Sequence, residues 1–312
     1  MAPAAVGMTY GEAAHRHNRR ANILECNALL SRSSLRLLRR PELMLLPTRR
    51  VLLAIVSATL ILQLDIPATA QAVGVPAGTQ MTPHSGTLHV TQDNAIIRNV
   101  EIRGNVIIDA NNVSMSNVRL FSTTENSALQ VKDGADGFVL QDSEIDGGGT
   151  TASAIDGYGQ FLRNDIHGAE NGINVTGPSL IKANYIHDLR NKNGSPHYDG
   201  IQVDGGRDVQ IVENTIINEN TQTSAVMLDN YFKGLSDITV ERNRLMGGGY
   251  TIYIDGRFNG GAVVDASIKI INNQIGGGFY GDYALFDHKP VFYGNTPLDP
   301  PEADLKTGNN PR

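Results

Sequence analysis

The sequence predicts an all-β protein whose chain winds repeatedly into a β-solenoid. One short pattern recurs from residue 95 onward: alternating apolar and polar residues, then Asn or Asp, then another apolar residue. Successive copies are 18 to 30 residues apart, which suits one solenoid turn each, with loops of varying length. No helical periodicity interrupts the pattern, and Gly, Asn and Asp separate the strands. The Asn or Asp of each copy is residue 99, 117, 142, 164, 184, 214, 243, 273 or 295.

A second set of apolar strands interleaves with the first, for example Gly-Ile-Gln-Val at 200–203 and Thr-Ile-Tyr-Ile at 251–254. A stacked Asn can hydrogen-bond to the backbone of its own turn and to the Asn of the next coil. Asn also tolerates the left-handed conformation that a sharp corner needs. We therefore expect an Asn ladder along one corner.

The N-terminal region differs in charge from the remainder. Residues 1–72 contain nine Arg and four acidic residues, a net charge of +5. Because the whole chain has a net charge of −6, the remaining residues have a net charge of −11. Arg49-Arg50, the apolar run 51–62 and small residues at 68–72 form the pattern of a secretory signal peptide. We expect an upstream extension or misassigned start at 1–43, a signal peptide at 44–72, a β-solenoid domain at 73–298 and a C-terminal tail at 299–312.

These segments predict a secreted or periplasmic protein with no stable membrane span after signal cleavage. The single cysteine, Cys26, falls before the mature domain, so no disulfide or thiolate metal site is expected there. The acidic mature domain would repel phosphate, which argues against a nucleic-acid partner. We expect a monomer.

Strand alternation predicts two outward columns on the second strand set. The first column contains Asn174, Gln202, Met227 and Tyr253, and the second contains Thr176, Asp204, Asp229, Asp255 and Asp287. Carboxylates in neighbouring coils would repel each other, so compensation is needed. It could come from downstream basic residues or from Ca²⁺ bound by Asp204, Asp229 and Asp255. The basic candidates are Arg207, Lys233, Arg257 and Lys289.

From residue 85 to 298, the ladder of strands and Asn turns resembles the right-handed parallel β-helix of the pectate-lyase-like superfamily. The resemblance implies right-handed winding and activity on carbohydrate, and the nine copies of the repeat predict about nine coils. Long loops at 188–198, 218–224, 230–237 and 256–266 occur in the coils that carry the Asp column, and they suggest the walls of a groove.

The segment Pro196-His197-Tyr198-Asp199 resembles the Asp-Pro-His-Asp segment of mannuronan C5-epimerases. It departs from that segment by Ser195 in place of the first Asp and by the inserted Tyr198. The resemblance implies proton transfer at C5 of a uronate by His197 and Tyr198, with Asp199 as a further catalytic candidate.

We therefore predict a lyase or epimerase that acts on an acidic, uronate-containing polysaccharide. Lys233 or Arg257 would neutralise the uronate carboxylate or act as base. The remaining groove residues would bind substrate, and these are Gln202, Asp204, Asp229, Tyr253 and Asp255.

Two alternatives stay open. A glycoside hydrolase could use Asp204 with Asp229 as a close pair, or Asp204 with Asp255 as a wide pair. The sequence lacks the polygalacturonase motifs Asn-Thr-Asp, Gly-His-Gly and Arg-Ile-Lys, and their absence argues against a hydrolase. A non-catalytic surface protein could bind glycan through its tyrosines, since Trp is absent. We expect His167 and His187 to be polar corner residues, and His288 to be exposed.

Overall fold

The computed structural model describes residues 72–193 and 196–298, so the predicted extension, most of the signal peptide and the C-terminal tail lie outside the described residues. The described part is almost entirely β-structure, with one 3-10 helix at Asp265–Ser267. Its strands are β1 (Thr82–Ser85), β2 (Leu88–Val90), β3 (Ile96–Gly104), β4 (Val106–Ile108), β5 (Ser114–Ser122), β6 (Ser127–Val131), β7 (Val139–Gln141), β8 (Glu144–Leu162), β9 (Asp165–Lys182), β10 (Tyr185–His187), β11 (Asp199–Val203), β12 (Gly206–Val212), β13 (Thr215–Asn218), β14 (Ser224–Asp229), β15 (Leu235–Glu241), β16 (Arg244–Gly247), β17 (Tyr250–Asp255), β18 (Ile268–Ile271), β19 (Gln274–Gly276), β20 (Gly281–Ala284), β21 (Val291–Tyr293) and β22 (Thr296–Pro297).

These strands form parallel ladders in which each strand pairs with its counterpart one coil further on. One ladder runs through β9, β11, β14, β17 and β20. A second runs through β9, β12, β15, β18 and β21, and a third through β9, β10, β13, β16 and β19. The all-β solenoid prediction is confirmed. Its handedness and the number of coils stay predictions.

The interior is a column of branched aliphatic side chains. Ile201, Val226 and Ile252 lie opposite one another in neighbouring coils and are fully buried. Burying each such side chain contributes about 1.5–3 kcal/mol. Residues that alternate with them point outward, so the polar side chains of this ladder form continuous columns on the surface.

An Asn ladder stabilises one corner, as predicted. Asn184 illustrates the pattern: its Nδ2 donates to the Phe161 carbonyl oxygen (2.8 Å) and to Asn214 Oδ1 (2.9 Å). Its backbone N also donates to Asn214 Oδ1 (2.9 Å). The same bonds repeat along the buried corner, whose Asn residues are 164, 184, 214, 243, 273 and 295.

In the first part of the chain, the prediction places the ladder residue one position too early. Asn99, Asn117 and Asp142 have positive φ, whereas the later ladder residues follow a positive-φ residue, such as Arg163 before Asn164. Ser143, not Asp142, is the buried neighbour of Asn164, and its backbone N donates to Asn164 Oδ1 (3.1 Å). The corner therefore needs two different residues: one that turns the chain, and a buried one that satisfies backbone groups.

Within residues 72–193 and 196–298, no helix has the length and apolar character to cross a membrane.

Candidate functional site

Asp204, Asp229 and Asp255 lie side by side on neighbouring coils, as strand alternation predicts. Asp229 of β14 is paired with Asp255 of β17. Val203 of β11 is paired with Leu228, so Asp204 follows in the same register as Asp229. Neighbouring strands are about 4.8 Å apart. We call these three residues the aspartate row.

The prediction that Asp287 extends the aspartate row is wrong by one residue. Ala284 of β20 lies opposite Tyr253, so Phe286 rather than Asp287 follows Asp255 in this register. Tyr283, which sequence alternation aligns with Thr251, pairs instead with Ile252. The chain enters the last coil one residue earlier than the repeat suggests.

Asp204 and Asp229 form a hydrogen-bonded carboxyl pair. Burial raises the pKa of Asp229 to about 7, and the negative charge of Asp204 adds to the rise. Burial also raises the pKa of Asp204, and the hydrogen bonds that it accepts from Gln202 and Asp229 oppose the rise. Two carboxylates this close cannot both ionise easily, so the pair holds one proton near neutral pH, with Asp229 as the donor.

A chain of side-chain hydrogen bonds orients this carboxyl pair. Asn171 Nδ2 donates to Gln202 Oε1 (2.9 Å), and Gln202 Nε2 donates to Asp204 Oδ1 (2.8 Å). The Tyr231 backbone N donates to Asp229 Oδ1 (2.9 Å). The predicted binding residue Gln202 thus contacts the aspartate row directly, and it positions Asp204.

Asp255 has the opposite electrostatic character. Burial alone would raise its pKa, but hydrogen bonds from Arg257 and the positive charges of Arg257 and His288 hold the pKa below its ordinary value. Arg257 Nε donates to Oδ1 (2.8 Å) and Nη2 to Oδ2 (2.6 Å). The aspartate row therefore combines a proton-sharing pair with an ion-paired carboxylate that Arg257 keeps ionised near neutral pH.

The predicted cations take different positions around the row. Arg257 is 61% exposed and stacks 3.7 Å above the Phe286 ring. Lys233 is exposed on a loop beside the row. This loop is fixed to the row by the Phe232 backbone N, which donates to the Asp204 carbonyl oxygen (2.9 Å). Arg207 pairs with acidic residues outside the row, Asp208 (2.9 Å) and Asp237 (3.5 Å), so it is not a compensating charge.

Aromatic side chains flank the aspartate row on both sides. The downstream cluster consists of Tyr231, Phe232 and Phe258, with ring centroids 4.8–5.3 Å apart and Phe232 69% exposed. An upstream cluster packs at the start of β17, and its members are Tyr250, Tyr253, Phe279 and Tyr280. The rings of Phe279 and Tyr280 are exposed. Burial raises the pKa of Tyr253 to about 12, so its phenol stays a neutral donor. Exposed rings of this kind suit stacking on sugar faces.

Asp199 is buried behind the surface of the same strand. Burial raises the pKa of Asp199 to about 8, although the hydrogen bonds that Asp199 accepts from Ser224 and Thr223 lower it. Ser224 Oγ donates to Asp199 Oδ1 (2.6 Å), and the Asp199 backbone N donates to Asn171 Oδ1 (2.9 Å). Asp199 is thus joined through Asn171 to the hydrogen-bond chain of the row, and it is 2% exposed.

His197 and Tyr198 lie at the opposite end of β11 from Asp204. His197 is exposed, and its backbone N donates to Glu170 Oε1 (3.0 Å). Tyr198 has a φ of 40°, packs its ring against the core and donates its hydroxyl to the Asn191 carbonyl oxygen (3.4 Å). The structure does not bring this pair to the aspartate row, and its catalytic role stays a prediction.

The described residues do not fit the calcium site predicted at the row. Ca²⁺ takes six to eight oxygen ligands at about 2.3–2.6 Å. Asp204 and Asp229 share a proton, and Arg257 occupies both oxygens of Asp255. Across residues 72–193 and 196–298, no group of three or more His, Cys, Asp or Glu is arranged to hold a metal ion.

Two histidines form a separate cluster on the third ladder. His167 of β9 is paired with His187 of β10, and their rings stack with centroids 5.3 Å apart. They are therefore strand residues, not corner residues as predicted. His187 lies between Asp165 (2.8 Å) and Asp188 (2.9 Å). This ladder is a different face of the solenoid from the one that carries the aspartate row.

Sequence reasoning missed a histidine next to the row. His288 was expected to be exposed, but its side chain is only 21% exposed and its Nδ1 lies 2.9 Å from Asp265 Oδ1. The His288 ring lies against Gly256, between Asp255 and Arg257 in sequence. In the sequence, only Gly256 could have indicated this contact, because a residue without a side chain leaves room for a neighbouring ring.

The fold and the site together define a parallel β-solenoid that carries a proton-sharing carboxyl pair on one face. No protein-family model, curated protein or solved structure matches this chain.

Proposed function

We propose that this protein is a polysaccharide lyase that removes the C5 proton of uronate units and cleaves the chain by β-elimination. The observation that carries the proposal is the hydrogen-bonded pair of Asp204 and Asp229, with the pKa of Asp229 at about 7. General acid–base catalysis is most efficient when the pKa of the group is near the operating pH. A pair with one proton supplies a base and an acid together.

The proton balance of elimination matches this pair. Asp204, as carboxylate, takes the C5 proton; the C5–H electron pair becomes the C4–C5 double bond, and the bond from C4 to the leaving oxygen breaks. Asp229 gives its proton to that oxygen. The pair ends the turnover with one proton, as it began. C5 epimerisation requires a new proton from the opposite face of the sugar, so a carboxyl pair on one wall favours elimination over epimerisation.

The surroundings of the pair support an acidic polymer as substrate. Arg257 and Lys233 are exposed next to the row, and cations near the uronate carboxylate would stabilise the negative charge that develops when C5 loses its proton. The two aromatic clusters flank the row and would stack on neighbouring sugar units. The resemblance to the pectate-lyase-like superfamily and the predicted secretion support the same substrate class.

Glycoside hydrolysis is the second candidate, and one observation favours it. Asp229 and Asp255 lie on neighbouring coils with pKa values shifted in opposite directions, which is the pattern of an acid and a nucleophile. Their strand separation of about 4.8 Å is close to the about 5–5.5 Å of retaining enzymes. However, Arg257 binds both oxygens of Asp255, which reduces its nucleophilicity.

One assay separates these functions. We would incubate the purified full-length chain with polygalacturonate, polymannuronate and polyguluronate, and follow the ultraviolet absorbance of unsaturated uronate together with reducing ends. Absorbance that rises with reducing ends supports elimination; reducing ends without absorbance indicate hydrolysis. An altered epimer ratio in the polymer with neither signal indicates epimerisation. Binding without any change in the polymer would leave a glycan-binding protein and refute the enzyme.

The matched variants are Asp229→Asn and Asp156→Asn. Asp156 lies in the adjacent outward column, and burial raises its pKa too, but it is outside the row. We expect Asp229→Asn to lose at least 100-fold in kcat, since positioned proton transfer contributes about 10²–10⁴-fold, and Asp156→Asn to stay close to the wild type. A chelator should leave the rate unchanged; a rate lost on chelation would restore the calcium prediction.

A further inference from the structure

Three hydrogen bonds in series connect the backbone of Asp199 to the carboxyl pair. The Asp199 backbone N donates to Asn171 Oδ1 (2.9 Å). Asn171 Nδ2 donates to Gln202 Oε1 (2.9 Å), and Gln202 Nε2 donates to Asp204 Oδ1 (2.8 Å). Asn171 belongs to β9 and Gln202 to β11, so the series crosses from one coil to the next and back. We call these three hydrogen bonds the amide relay.

The first hydrogen bond of the amide relay has a direction that cannot change. A backbone N–H is always a donor, whereas a carboxamide group has an oxygen at one end and an NH2 group at the other and can turn over. Asp199 begins β11 and is 2% exposed, so the strand holds its N–H in place. Asn171 must therefore turn its oxygen toward Asp199 and its NH2 group toward Gln202.

Gln202 passes this direction on to the carboxyl pair. Because Gln202 receives a hydrogen at Oε1, its NH2 group faces Asp204 Oδ1 and presents a hydrogen there. A hydrogen bond to the charged form of a carboxyl group favours ionisation, so this contact suits Asp204 as a carboxylate. If Gln202 were turned over, its oxygen would face Asp204. Asp204 would then have to hold the proton, because two oxygens without a hydrogen between them repel each other.

Asp229 is arranged as the matching acid. Its Oδ1 accepts a hydrogen bond from the Tyr231 backbone N (2.9 Å), which leaves Oδ2 to hold the proton. Asp229 also lies between two carboxyl groups, those of Asp204 and Asp255, whereas Asp204 lies at the end of the aspartate row. A negative charge on Asp229 would therefore have two like charges as neighbours, which favours the protonated form.

We propose that Asn171 is a positioning residue that fixes which member of the carboxyl pair holds the proton, and so makes Asp204 the base and Asp229 the acid. This inference rests on the proposed function, because it explains how the two roles of β-elimination are assigned. Asn171 acts through Gln202. Gln202 was predicted to bind substrate, but both ends of its amide group are engaged in the amide relay.

The test reverses the amide relay with one substitution. In Asn171→Asp, the new carboxylate can accept a hydrogen bond from the Asp199 N–H but cannot donate one, so Gln202 must turn its oxygen toward Asp204. Carbon-13 NMR titration of the full-length chain without substrate should then find the shared proton on Asp204 rather than on Asp229. The ratio of the two protonation forms should change about 10- to 100-fold, the effect of one hydrogen bond to a charged group. On polygalacturonate, kcat should fall by a similar factor while KM stays within about threefold.

The matched control is Asn174→Asp, which adds the same negative charge beside Gln202 but outside the amide relay. Asn174 lies opposite Gln202 on β9, and its Nδ2 donates to Asp156 Oδ1 (3.4 Å). In this variant the shared proton should stay on Asp229, and kcat should stay within about threefold of the wild type.

A second variant keeps the test valid if Asn171→Asp does not fold. Gln202→Met has a side chain of similar length, adds no charge and removes the NH2 group that donates to Asp204. The shared proton should again shift toward Asp204. Thermal unfolding of each variant would separate a folding defect from a change within the carboxyl pair.

Failure of the inference and failure of the proposed function give different results. A proton that stays on Asp229 in Asn171→Asp and in Gln202→Met, or that moves equally in Asn174→Asp, overturns the inference. Cleavage at the wild-type rate after the proton has moved to Asp204 overturns it as well. If the wild type cleaves no polymer, the proposed function fails, and the NMR titration alone decides whether Asn171 fixes the position of the proton.

Discussion

Replacing Asp229 with Asn is expected to stabilise the protein at pH 8 while removing its activity. Burial and the charge of Asp204 raise the pKa of Asp229 from 3.8 to about 7. A carboxyl group with a raised pKa contributes its full stability below 3.8, and that contribution is lost as pH rises through about 7. Each pKa unit corresponds to about 1.4 kcal/mol, so the ionised group costs at most about 4 kcal/mol at pH 8.

The assay is urea unfolding of the wild type and of Asp229→Asn at pH 4, 6 and 8. Asn keeps the shape of the side chain without its charge, so the two proteins should be nearly equal at pH 4. The variant should become progressively more stable than the wild type as pH rises. A wild type whose stability does not fall relative to the variant between pH 4 and 8 would refute the shared-proton assignment.

The neighbouring residue Asp255 supplies a control of opposite sign. Hydrogen bonds and charge from Arg257 lower its pKa despite burial, so its contribution is present above pH 3.8 and lost as pH falls through the lowered pKa. Asp255→Asn should therefore be destabilised at pH 8, by about 1–3 kcal/mol, because Arg257 loses its charged partner. A gain in stability at pH 8 from Asp255→Asn would contradict the electrostatics of the row.

The remaining predictions concern the ladder, the second histidine cluster and the last coil. Asn214→Ala should cost about 2–6 kcal/mol in urea unfolding, because it leaves two buried backbone groups without partners; a loss under 1 kcal/mol would contradict this. For His187, burial opposes protonation, but two carboxylates raise its pKa above 6.5, so its stabilisation is present below pH 6.5 and lost as pH rises through the raised value. His187→Gln should thus be less stable than the wild type at pH 5 and equal to it at pH 9, and melting curves at both pH values check this. Gly256→Ala should destabilise the last coil in urea unfolding, because the added Cβ would collide with the His288 ring; an unchanged free energy of unfolding would show that the ring is not held there.

Period-2 alternation and the repeat length were sufficient to predict the solenoid and the aspartate row. Both depend on local pattern: once Ile201 and Val226 face the core, Asp204 and Asp229 must face outward in register. The Asn ladder followed for the same reason. The exact position of the ladder residue could not be predicted in every coil, because sequence cannot distinguish the residue that turns the chain from the buried residue after it, as Asp142 and Ser143 show.

The protonation states and the position of His288 could not be predicted, because they depend on distances between coils. Whether Asp255 pairs with Arg257, or Asp229 with Asp204, is decided by side-chain geometry that the repeat leaves open. His288 lies 23 residues after its partner Asp265, and the last coil is shifted by one residue relative to the repeat. The resemblance of residues 196–199 to an epimerase segment predicted a catalytic pair that lies at the opposite end of β11 from Asp204.

The most direct test is a carbon-13 NMR titration of the aspartate carboxyl groups in the wild type and in Asp204→Asn. We predict that Asp229 titrates near pH 7 in the wild type and at a lower pH in the variant, where the neighbouring negative charge is gone. An Asp229 carboxyl that titrates near pH 4 in the wild type would contradict the shared proton, and with it the proposed chemistry of the row.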